Sequence, residues 1–327
     1  KKCVRNVQER NIVVTDRNKK MGEKTMKILI IGGVAAGTKT AAKLKREDRS
    51  AEVTVITKDR DISYAGCGLP YYVGGLIENR EELIVNTPAK YAGLTGVEVK
   101  TGKEAIALCA DKKEVIVKDV ETGAEEAYGY DKLVLTVGAS PAKLPIEGTD
   151  LSGVFQMRTP DDAENIRSYV EENQVKKAVV IGAGFIGLEV AENLKAKGVQ
   201  VTVIDFASQI LPNIVDAEVA VYAKKHLLKE GIRVITGTKA DAIMGNDHVT
   251  GVKTSAGLLR CELLIMAAGI RPNTDFLQDS GLEMFKGTIL VDKTMKTNLE
   301  DVYAAGDCVM VTNRITGKPQ WSPMGSS

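Results

Sequence analysis

The sequence contains one short module twice, and this repeat limits the fold more than any other feature. Residues 27–57 and 177–205 each read as an apolar strand, a glycine-rich turn, an amphipathic helix and a second apolar strand. The first glycines of the two turns, Gly32 and Gly182, are 150 positions apart. A strand, a helix and a parallel strand form a βαβ unit, whose sheet has to be covered on both faces. The repeat therefore predicts an α/β fold.

Both glycine-rich turns are suited to a dinucleotide. The first glycine of such a turn permits a tight bend after the strand, the second lets the backbone approach a pyrophosphate, and the third lets helix and strand pack closely. The phosphates then lie against the unpaired N–H groups at the start of the helix, where the helix dipole favours negative charge. Two turns of this kind predict two dinucleotide-binding sites.

The second turn predicts a preference for NADH over NADPH. It has all three glycines, Gly182, Gly184 and Gly187, and Asp205 follows the second strand. An acidic side chain at that position binds a ribose diol and repels a 2′-phosphate. Residues 206–212 contain no Lys or Arg that would bind this phosphate.

The first turn departs from the pattern at two positions. Val34 replaces the middle glycine, and Thr57 stands where an acid is expected. A threonine hydroxyl can make one hydrogen bond to a ribose, but not the charge-assisted bidentate pair that a carboxylate makes. We expect the dinucleotide at this turn to be bound mainly by other residues.

Composition excludes several classes of protein. A chain of 327 residues predicts about two domains, and no apolar run reaches the ~20 residues of a membrane span. Residues 1–25 carry eight basic and three acidic side chains, which we interpret as a disordered basic tail and not as a nucleic-acid-binding segment. Five scattered cysteines and two histidines predict no metal site and a reducing, cytoplasmic location.

Three further segments carry a resemblance to a known family. They are LVLTVGASP at 133–141, IMAAGIRPN at 265–273 and TNLEDVYAAGDC at 297–308. With the two modules, they make the chain similar to the pyridine nucleotide-disulfide oxidoreductases, flavoproteins that hold FAD in the first module and NAD(P)H in the second. The resemblance covers residues 26–327 and implies two Rossmann-like domains.

The order of the segments implies that the NAD domain is inserted into the FAD domain. The expected boundaries are 26–147 and 274–327 for the FAD domain, and 148–273 for the NAD domain. The resemblance also implies a C-terminal domain that forms a homodimer and that this chain lacks. The implied FAD-binding residues are Gly32, Gly33, Ala36, Gly37, Thr57, Lys58, Ala105, Thr136, Gly138 and Asp307. The implied NAD-binding residues are Gly182, Gly184, Phe185, Ile186, Gly187, Asp205 and Gly269.

Cys67 is the candidate nucleophile. It lies in a glycine-rich turn before a predicted helix, within DISYAGCGLPYYVGG at 61–75, and thiols that precede a helix ionise more readily. Glutathione reductase and its close relatives pair two cysteines as C-x4-C, whereas Ile62 and Tyr72 stand at the two partner positions here. The chain therefore resembles the single-cysteine branch, which comprises coenzyme A-disulfide reductases, persulfide reductases, NADH oxidases and NADH peroxidases.

Ala35 favours one part of this branch. Peroxidases and water-forming oxidases have a histidine at that position, whereas coenzyme A-disulfide and persulfide reductases have alanine. The same resemblance implies that Lys43, Arg46 and Ser63 contact coenzyme A, whose phosphates favour basic side chains. It also implies that Phe185 covers the nicotinamide pocket and that Glu189 lies near the reacting rings.

The expected function is a disulfide reductase in which hydride passes from NADH to FAD and then to a mixed disulfide between Cys67 and a small thiol such as coenzyme A, or to a persulfide. An NADH oxidase that cycles Cys67 through a sulfenic acid is one alternative. A flavin-dependent reductase of a small electron-transfer protein is another. A non-catalytic FAD-binding redox sensor is the third.

Overall fold

A computed structural model of the chain describes residues 25–212 and 214–323. The predicted basic tail, residues 1–25, lies outside the described residues except for its last residue.

The helices and the strands are each numbered in the order in which they occur along the chain. The α-helices are α1 (Ala35–Glu47), α2 (Leu69–Gly74), α3 (Pro88–Thr95), α4 (Pro160–Glu172), α5 (Phe185–Ala196) and α6 (Ala217–Lys229). The strands are β1 (Lys27–Ile31), β2 (Glu52–Ile56), β3 (Glu98–Lys100), β4 (Lys103–Cys109), β5 (Glu114–Asp119), β6 (Glu125–Gly129), β7 (Lys132–Leu135), β8 (Ala139–Pro141), β9 (Val154–Phe155), β10 (Lys177–Ile181), β11 (Gln200–Ile204), β12 (Arg233–Ile235), β13 (Ala240–Gly245), β14 (Val249–Thr254), β15 (Gly257–Arg260), β16 (Leu263–Met266), β17 (Ile270–Pro272), β18 (Met284–Phe285), β19 (Thr288–Leu290), β20 (Val302–Ala304), β21 (Val309–Thr312) and β22 (Pro319–Gln320). Short 3₁₀ turns cover Gly66–Gly68, Arg80–Leu83, Ala110–Lys112 and Asp275–Leu277.

The described chain divides into two compact units. Unit 1 contains the described residues up to Tyr64, then Ile84–Ala139 and the described residues from Pro272 onward. Unit 2 contains Ala65–Leu83 and Ser140–Arg271. The sequence-based boundaries, 26–147 with 274–327 and 148–273, did not separate residues 65–83 from the first module. The structure groups them with unit 2 because α2 packs against α4 and α5.

Unit 1 is built on a parallel sheet with the order β20-β7-β1-β2-β3. The strand β1 is central, paired with β2 on one side and β7 on the other. Its apolar residues 28–31 alternate between two buried clusters, one on each face of the sheet. This burial on both faces explains why β1 is a continuous apolar run and not an alternating one.

Unit 2 repeats this arrangement with the order β12-β11-β10-β16-β9. Here β10 is central and pairs in parallel with β11 and β16. The edge strand β9 precedes β10 in the chain, whereas the corresponding edge strand of unit 1, β20, is near its end. In both sheets the chain leaves the central strand at the point where the strand order reverses, which is where α/β sheets bind nucleotides.

The predicted α/β class with two repeated parallel-sheet modules is confirmed. In residues 25–212 and 214–323, no helix combines the length and the apolar character that crossing a bilayer requires.

Candidate functional site

The first glycine-rich turn, between β1 and α1, leaves no room for side chains at its first and third glycines. Gly32 has a φ of +111°, and a Cβ there would lie 2.1 Å from the carbonyl oxygen of Thr136. A Cβ on Gly37 would lie 1.8 Å from the carbonyl oxygen of Gly32. Thr136 holds the turn closed, because its hydroxyl donates to the carbonyl of Ile31 at 2.9 Å. No side chain caps the start of α1, so its first N–H groups face the turn without a side-chain acceptor.

The other residues implied for FAD also lie in unit 1. Gly33 and Thr57 are buried and adjacent, since a Cβ on Gly33 would lie 3.0 Å from the Thr57 side chain. Lys58 forms an ion pair with Glu104 at 2.9 Å. The remaining implied positions are Ala36, which a Cβ on Gly306 would approach at 3.0 Å, Ala105 on β4, Gly138 with a φ of +64°, and Asp307 between β20 and β21.

Trp321 is a residue of this region that the sequence did not single out. Its indole Nε1 donates to the backbone carbonyl of Asp307 at 2.8 Å. The hydrogen bond fixes the loop that carries the implied flavin-binding aspartate. No local pattern predicts it, because the two residues are brought together by the return of the chain through β21 and β22.

The second glycine-rich turn, between β10 and α5, has the same construction. Gly182 has a φ of +110°, and a Cβ there would lie 2.3 Å from the carbonyl oxygen of Ala267. A Cβ on Gly187 would lie 2.0 Å from the carbonyl oxygen of Gly182, whereas one on Gly184 would meet nothing within 4 Å. The start of α5 also lacks a side-chain cap. Both turns thus fit a phosphate group, because backbone N–H groups face a space that side chains leave open.

Asp205 is held by the backbone of this turn. One carboxylate oxygen accepts from the N–H of Ala183 at 2.6 Å, and the other accepts from the N–H of Ala207 at 2.7 Å. These bonds orient the carboxylate beside the turn and leave lone pairs for further donors. Gly269, the last residue implied for NAD, has a φ of +97° and open space at its Cβ position.

The first two turns of α5 carry the other residues implied for the nicotinamide site. Phe185 is 50% exposed and Ile186 is 42% exposed, although both are apolar. Glu189 is partly buried, and this desolvation, together with the nearby charge of Glu192, raises the pKa of its carboxyl group. Exposed apolar side chains beside a partly desolvated acid fit a site that an aromatic ring occupies.

Cys67 is an exposed, free thiol in the 3₁₀ turn Gly66–Gly68, directly before α2. Since α2 packs against α5, the segment that carries Cys67 lies on the helix that carries Phe185 and Glu189. Cys261 and Cys308 are buried, and desolvation raises the pKa of Cys261 to about 12 and that of Cys308 to about 11. Among the free cysteines of the described residues, Cys67 is therefore the one placed to react.

The residues implied for coenzyme A have different surroundings within unit 1. Arg46 lines an open cavity of about 480 Å³ together with Lys45, Arg49, Ala42, Leu94 and Thr95. Lys45 is already bonded there, since its Nζ donates to two backbone carbonyls at 2.9 Å. Within the described residues, the guanidinium groups of Arg46 and Arg49 form no ion pair. The cavity therefore offers two available cations to an anionic ligand.

Lys43 and Ser63 lie outside the lining of this cavity. Lys43 forms an exposed ion pair with Glu47, four residues along α1. Ser63 has a positive φ of 49° and accepts a hydrogen bond from Asn86 Nδ2 at 3.5 Å, and its N–H donates to the carbonyl of Gly33. Neither the described part of unit 1 nor that of unit 2 has a group of three or more His, Cys, Asp and Glu residues suited to a metal ion.

Several curated proteins are similar to this chain. It is 39% identical over 303 residues to an NADH oxidase from Methanocaldococcus jannaschii, covering 92% of this chain and 67% of that protein. It is 37% identical to a CoA-dependent NAD(P)H sulfur oxidoreductase from Pyrococcus abyssi, and 31% identical to a coenzyme A disulfide reductase from Staphylococcus haemolyticus. Each of these two matches covers 91% of this chain and 66% of the relative.

Several solved structures of related enzymes are also similar to this chain. An NAD-dependent persulfide reductase from A. fulgidus matches with a TM-score of 0.88 and 38% identity, over 92% of this chain and 57% of that one. A water-forming NADH oxidase from Lactobacillus brevis, bound to NADH, matches with a TM-score of 0.86 and 29% identity over 92% of this chain and 66% of that one. Its engineered NADPH-bound form matches equally well, with 28% identity over the same shares of the two chains.

The chain spans about two thirds of the length of the curated relatives that it matches. The family model for pyridine nucleotide-disulphide oxidoreductases matches residues 26–323. That match covers both glycine-rich turns, the Cys67 segment and the Asp307 loop. With two repeated nucleotide-binding sheets and relatives above 30% identity over most of its length, the chain belongs to the pyridine nucleotide-disulphide oxidoreductase family.

Proposed function

We propose that this chain is the nucleotide-binding part of a reductase that uses NADH and FAD to reduce disulfides or persulfides of a small thiol such as coenzyme A. The observation that carries the proposal is the exposed, free thiol of Cys67, which has no cysteine at the C-x4-C spacing. A lone thiolate has to form its disulfide with the substrate. The names of the Pyrococcus abyssi and Staphylococcus haemolyticus relatives support this substrate class.

The reaction uses ordinary thiol–disulfide exchange. The Cys67 thiolate attacks one sulfur of the substrate R–S–S–R, so that a Cys67–S–S–R bond forms, the substrate S–S bond breaks and one RS⁻ leaves. FAD and NADH, when bound, supply the electron pair that splits this mixed disulfide into the Cys67 thiolate and a second thiol. The glycine-rich turns bind the two dinucleotides, and Glu189, whose pKa is raised by burial, holds a proton near Phe185 more readily than an exposed acid would.

The test is a Cys67→Ser variant of the protein. It should lose coenzyme A disulfide reduction while NADH still reduces the bound flavin at nearly the same rate in an anaerobic stopped-flow experiment. Cys261→Ser is the matched control, because this second thiol of unit 2 is buried. Disulfide reduction by the Cys67→Ser variant would overturn the proposal.

The basic cavity supports coenzyme A as the thiol, because the phosphates of this molecule match the two available guanidinium groups. Arg46→Ala and Arg49→Ala should each raise the KM for coenzyme A disulfide about tenfold, which is the effect of losing one charge-assisted contact. The KM for cystamine, a disulfide without phosphates, should stay the same. Lys39→Ala is the matched control on the same helix, since Lys39 is exposed and does not line the cavity. Equal effects on both disulfides would exclude this cavity as the phosphate site.

A preference for NADH is supported by the engineered Lactobacillus brevis enzyme. Its substitutions replace a glycine, an aspartate eighteen positions later, the two residues after the aspartate and a proline seven positions after it. Gly187, Asp205 and Pro212 have the same spacings here, with Phe206 and Ala207 after the aspartate. The combined substitutions Asp205→Ala, Phe206→Arg, Ala207→Ser and Pro212→Arg should therefore change the NADPH to NADH ratio of kcat/KM by at least about 100-fold. An unchanged ratio would contradict this assignment.

NADH oxidase activity is the second candidate, favoured by the name of the Methanocaldococcus jannaschii relative. It requires Cys67 to pass through a sulfenic acid. Ala35 at the start of α1 disfavours the oxidase, because alanine cannot exchange a proton with peroxide. Oxygen consumption with NADH that exceeds the rate of coenzyme A disulfide reduction would favour the oxidase.

We further propose that the protein works in the cytoplasm as a homodimer. A free, exposed thiol at Cys67 supports a reducing compartment. Light scattering of the protein tests the assembly, and the mass of a single chain would contradict the homodimer.

A further inference from the structure

The segment that carries Cys67, residues 65–83, has little structure of its own. It contains the turn Gly66–Gly68, the six-residue helix α2 and the short turn Arg80–Leu83. A helix this short is not stable by itself in water. The direction in which the Cys67 thiol points therefore depends on what fixes α2 to the rest of unit 2.

One face of α4 provides the contact. Asp161, Glu164, Arg167 and Glu171 follow one another at spacings of three, three and four residues, which places them along one side of the helix. Each takes part in an ion pair on this side. These polar side chains face the Cys67 segment of the same unit. Hydrogen bonds and ion pairs depend on direction, so this contact can fix the orientation of that segment.

Arg167 binds the carboxyl end of α2. Its Nη1 donates to the carbonyl oxygens of Tyr72 at 3.4 Å, Ile77 at 3.3 Å and Glu78 at 2.9 Å. Its guanidinium carbon also lies 4.7 Å from the centre of the Tyr72 ring, a cation–π contact. The carbonyl of Tyr72 belongs to the last turn of α2 and also accepts from the N–H of Gly75 at 3.1 Å, whereas Ile77 and Glu78 follow the helix. The planar guanidinium therefore ties the end of α2 to the segment after it. Glu171 holds the guanidinium from the other side, at 3.3 Å from Nε.

Arg80 fixes the far end of the segment to the same helix. Its guanidinium bonds to Asp161 and, at 3.0 Å, to Glu164, and only 15% of its side chain is exposed. Two carboxylates around one mostly buried guanidinium form a more rigid link than an isolated surface pair does.

The opposite side of α2 lies directly on α5. A Cβ on Gly74 would lie 2.3 Å from Oδ1 of Asn193, so the two helices approach as closely as a glycine allows. Asn193 is buried, and its amide donates to the carbonyl of Glu189 at 2.8 Å, which fixes its orientation. The short helix is thus held between α4 and α5.

We propose that Arg167 is a positioning residue for Cys67: by binding the carboxyl end of α2 and the Tyr72 ring, it fixes the direction of α2 and hence of the Cys67 thiol at the other end. The inference rests on the proposed function, in which this thiol attacks a disulfide. Without Arg167, α2 keeps its contact with Asn193 but can tilt, and the thiol spends less time in the reactive orientation.

Two measurements on Arg167→Ala test the proposal. Its kcat for coenzyme A disulfide should fall at least tenfold, while the KM for NADH and the rate of flavin reduction by NADH stay unchanged. The rate at which iodoacetamide alkylates Cys67 at pH 7.5, measured by mass spectrometry, should fall at least threefold. Arg167→Lys keeps the charge but not the planar fork, so it should restore only part of both rates. Arg260→Ala, an exposed arginine of the same unit, is the matched control.

The outcomes separate the possible failures. If Arg167→Ala lowers the melting temperature but leaves kcat and alkylation at 25 °C unchanged, Arg167 is only structural and the proposal is wrong. If the Arg167→Ala protein does not fold, Arg167→Lys provides the same comparison, with smaller expected decreases in kcat and in the alkylation rate. If the wild-type protein does not reduce coenzyme A disulfide, the proposed function fails, and the alkylation rate alone then supports or overturns the positioning role.

Discussion

The first and the second glycine-rich turn share their backbone geometry and differ in the residues that face a nucleotide. Gly32 and Gly182 have φ values of +111° and +110°, and an added Cβ would lie 2.1 Å and 2.3 Å from a carbonyl oxygen. At the third glycines the corresponding distances are 1.8 Å and 2.0 Å. The agreement shows that these glycines are required by the packing of helix against strand, whichever dinucleotide is bound.

The middle positions of the two turns follow a different rule. Val34 and Gly184 each directly precede a helix and have negative φ values, −98° and −80°. A Cβ on Gly184 would meet nothing within 4 Å, so the fold itself permits a side chain there. The difference teaches that the fold determines the first and third positions, and that a ligand is the remaining reason for a glycine in the middle.

The residue after the second strand separates the two turns further. Asp205 accepts two backbone hydrogen bonds, whereas Thr57 is buried against Gly33. The second turn can therefore bind a ribose through a carboxylate, and the first cannot.

The largest expected effect tests the shared geometry. Gly32→Ala and Gly182→Ala should each lower the free energy of unfolding by about 3 kcal/mol or more, because a Cβ would collide with a carbonyl oxygen at a positive φ. Gly184→Ala, in open space, should change it by less than about 0.5 kcal/mol and weaken NADH binding instead. Urea unfolding and NADH titration measure both effects. A stable Gly182→Ala protein would show that the turn can rearrange.

The next effect concerns the acid of the second turn. Asp205→Thr should weaken NADH binding at least about tenfold, and the loss of the acceptors for Ala183 and Ala207 should cost about 1–3 kcal/mol of stability. The FAD content of the purified protein should not change. Isothermal titration with NADH is the measurement, and Asp205→Asn, which keeps one acceptor oxygen, should lie between the variant and the wild type. Unaltered NADH affinity would remove Asp205 from the site.

A smaller effect is expected at the equivalent position of the first turn. Thr57→Val keeps the shape that packs against Gly33 and removes one hydroxyl, so the Kd for FAD should change by less than about fivefold, the worth of one neutral hydrogen bond. Flavin fluorescence during reconstitution of the apoprotein gives this Kd. A loss of fiftyfold or more would mean that Thr57 takes the place of the missing acid.

The smallest expected effect is a pH-dependent change in the melting temperature. The first helix has exposed Lys39 where the second has Glu189, whose pKa is raised by burial and by Glu192. A carboxyl group with a raised pKa in the folded state destabilises the fold when it ionises, so its penalty is present at neutral pH and disappears as pH falls below its unfolded value of about 4.3. Glu189→Gln should therefore melt slightly above wild type at pH 7.5 and equally at pH 4. A variant less stable at pH 7.5 would contradict the desolvation argument.

The sequence predicts the local parts of these sites well. The glycine spacing and the apolar strands predict both turns, because a strand, a tight turn and a helix are determined by neighbouring residues. Arg167, Arg80 and Trp321 were not predicted, since each acts on a residue 14 or more positions away along the chain. Their partners are backbone carbonyls or surface acids, which carry no distinguishing pattern in the sequence.

The residues proposed for coenzyme A show the same limit. The sequence treated Lys43 and Arg46 alike, because both are basic and lie on one helix. In the structure Arg46 lines a cavity with Arg49 and Thr95, while Lys43 is paired on the helix surface with Glu47. The approach of α3 to α1 makes this difference, and helical spacing alone does not contain it.

The sequence by itself predicted the α/β class, the two glycine-rich turns and the lack of a C-x4-C partner for Cys67, because each depends on residue types at short, fixed spacings. Only the tertiary structure decided that the Cys67 segment belongs to unit 2, with its short helix held between α4 and α5. The physical reason is that a six-residue helix has no stable direction of its own. Long-range contacts, such as those of Arg167 with the carbonyls at and after the end of α2 and of Gly74 with Asn193, supply that direction.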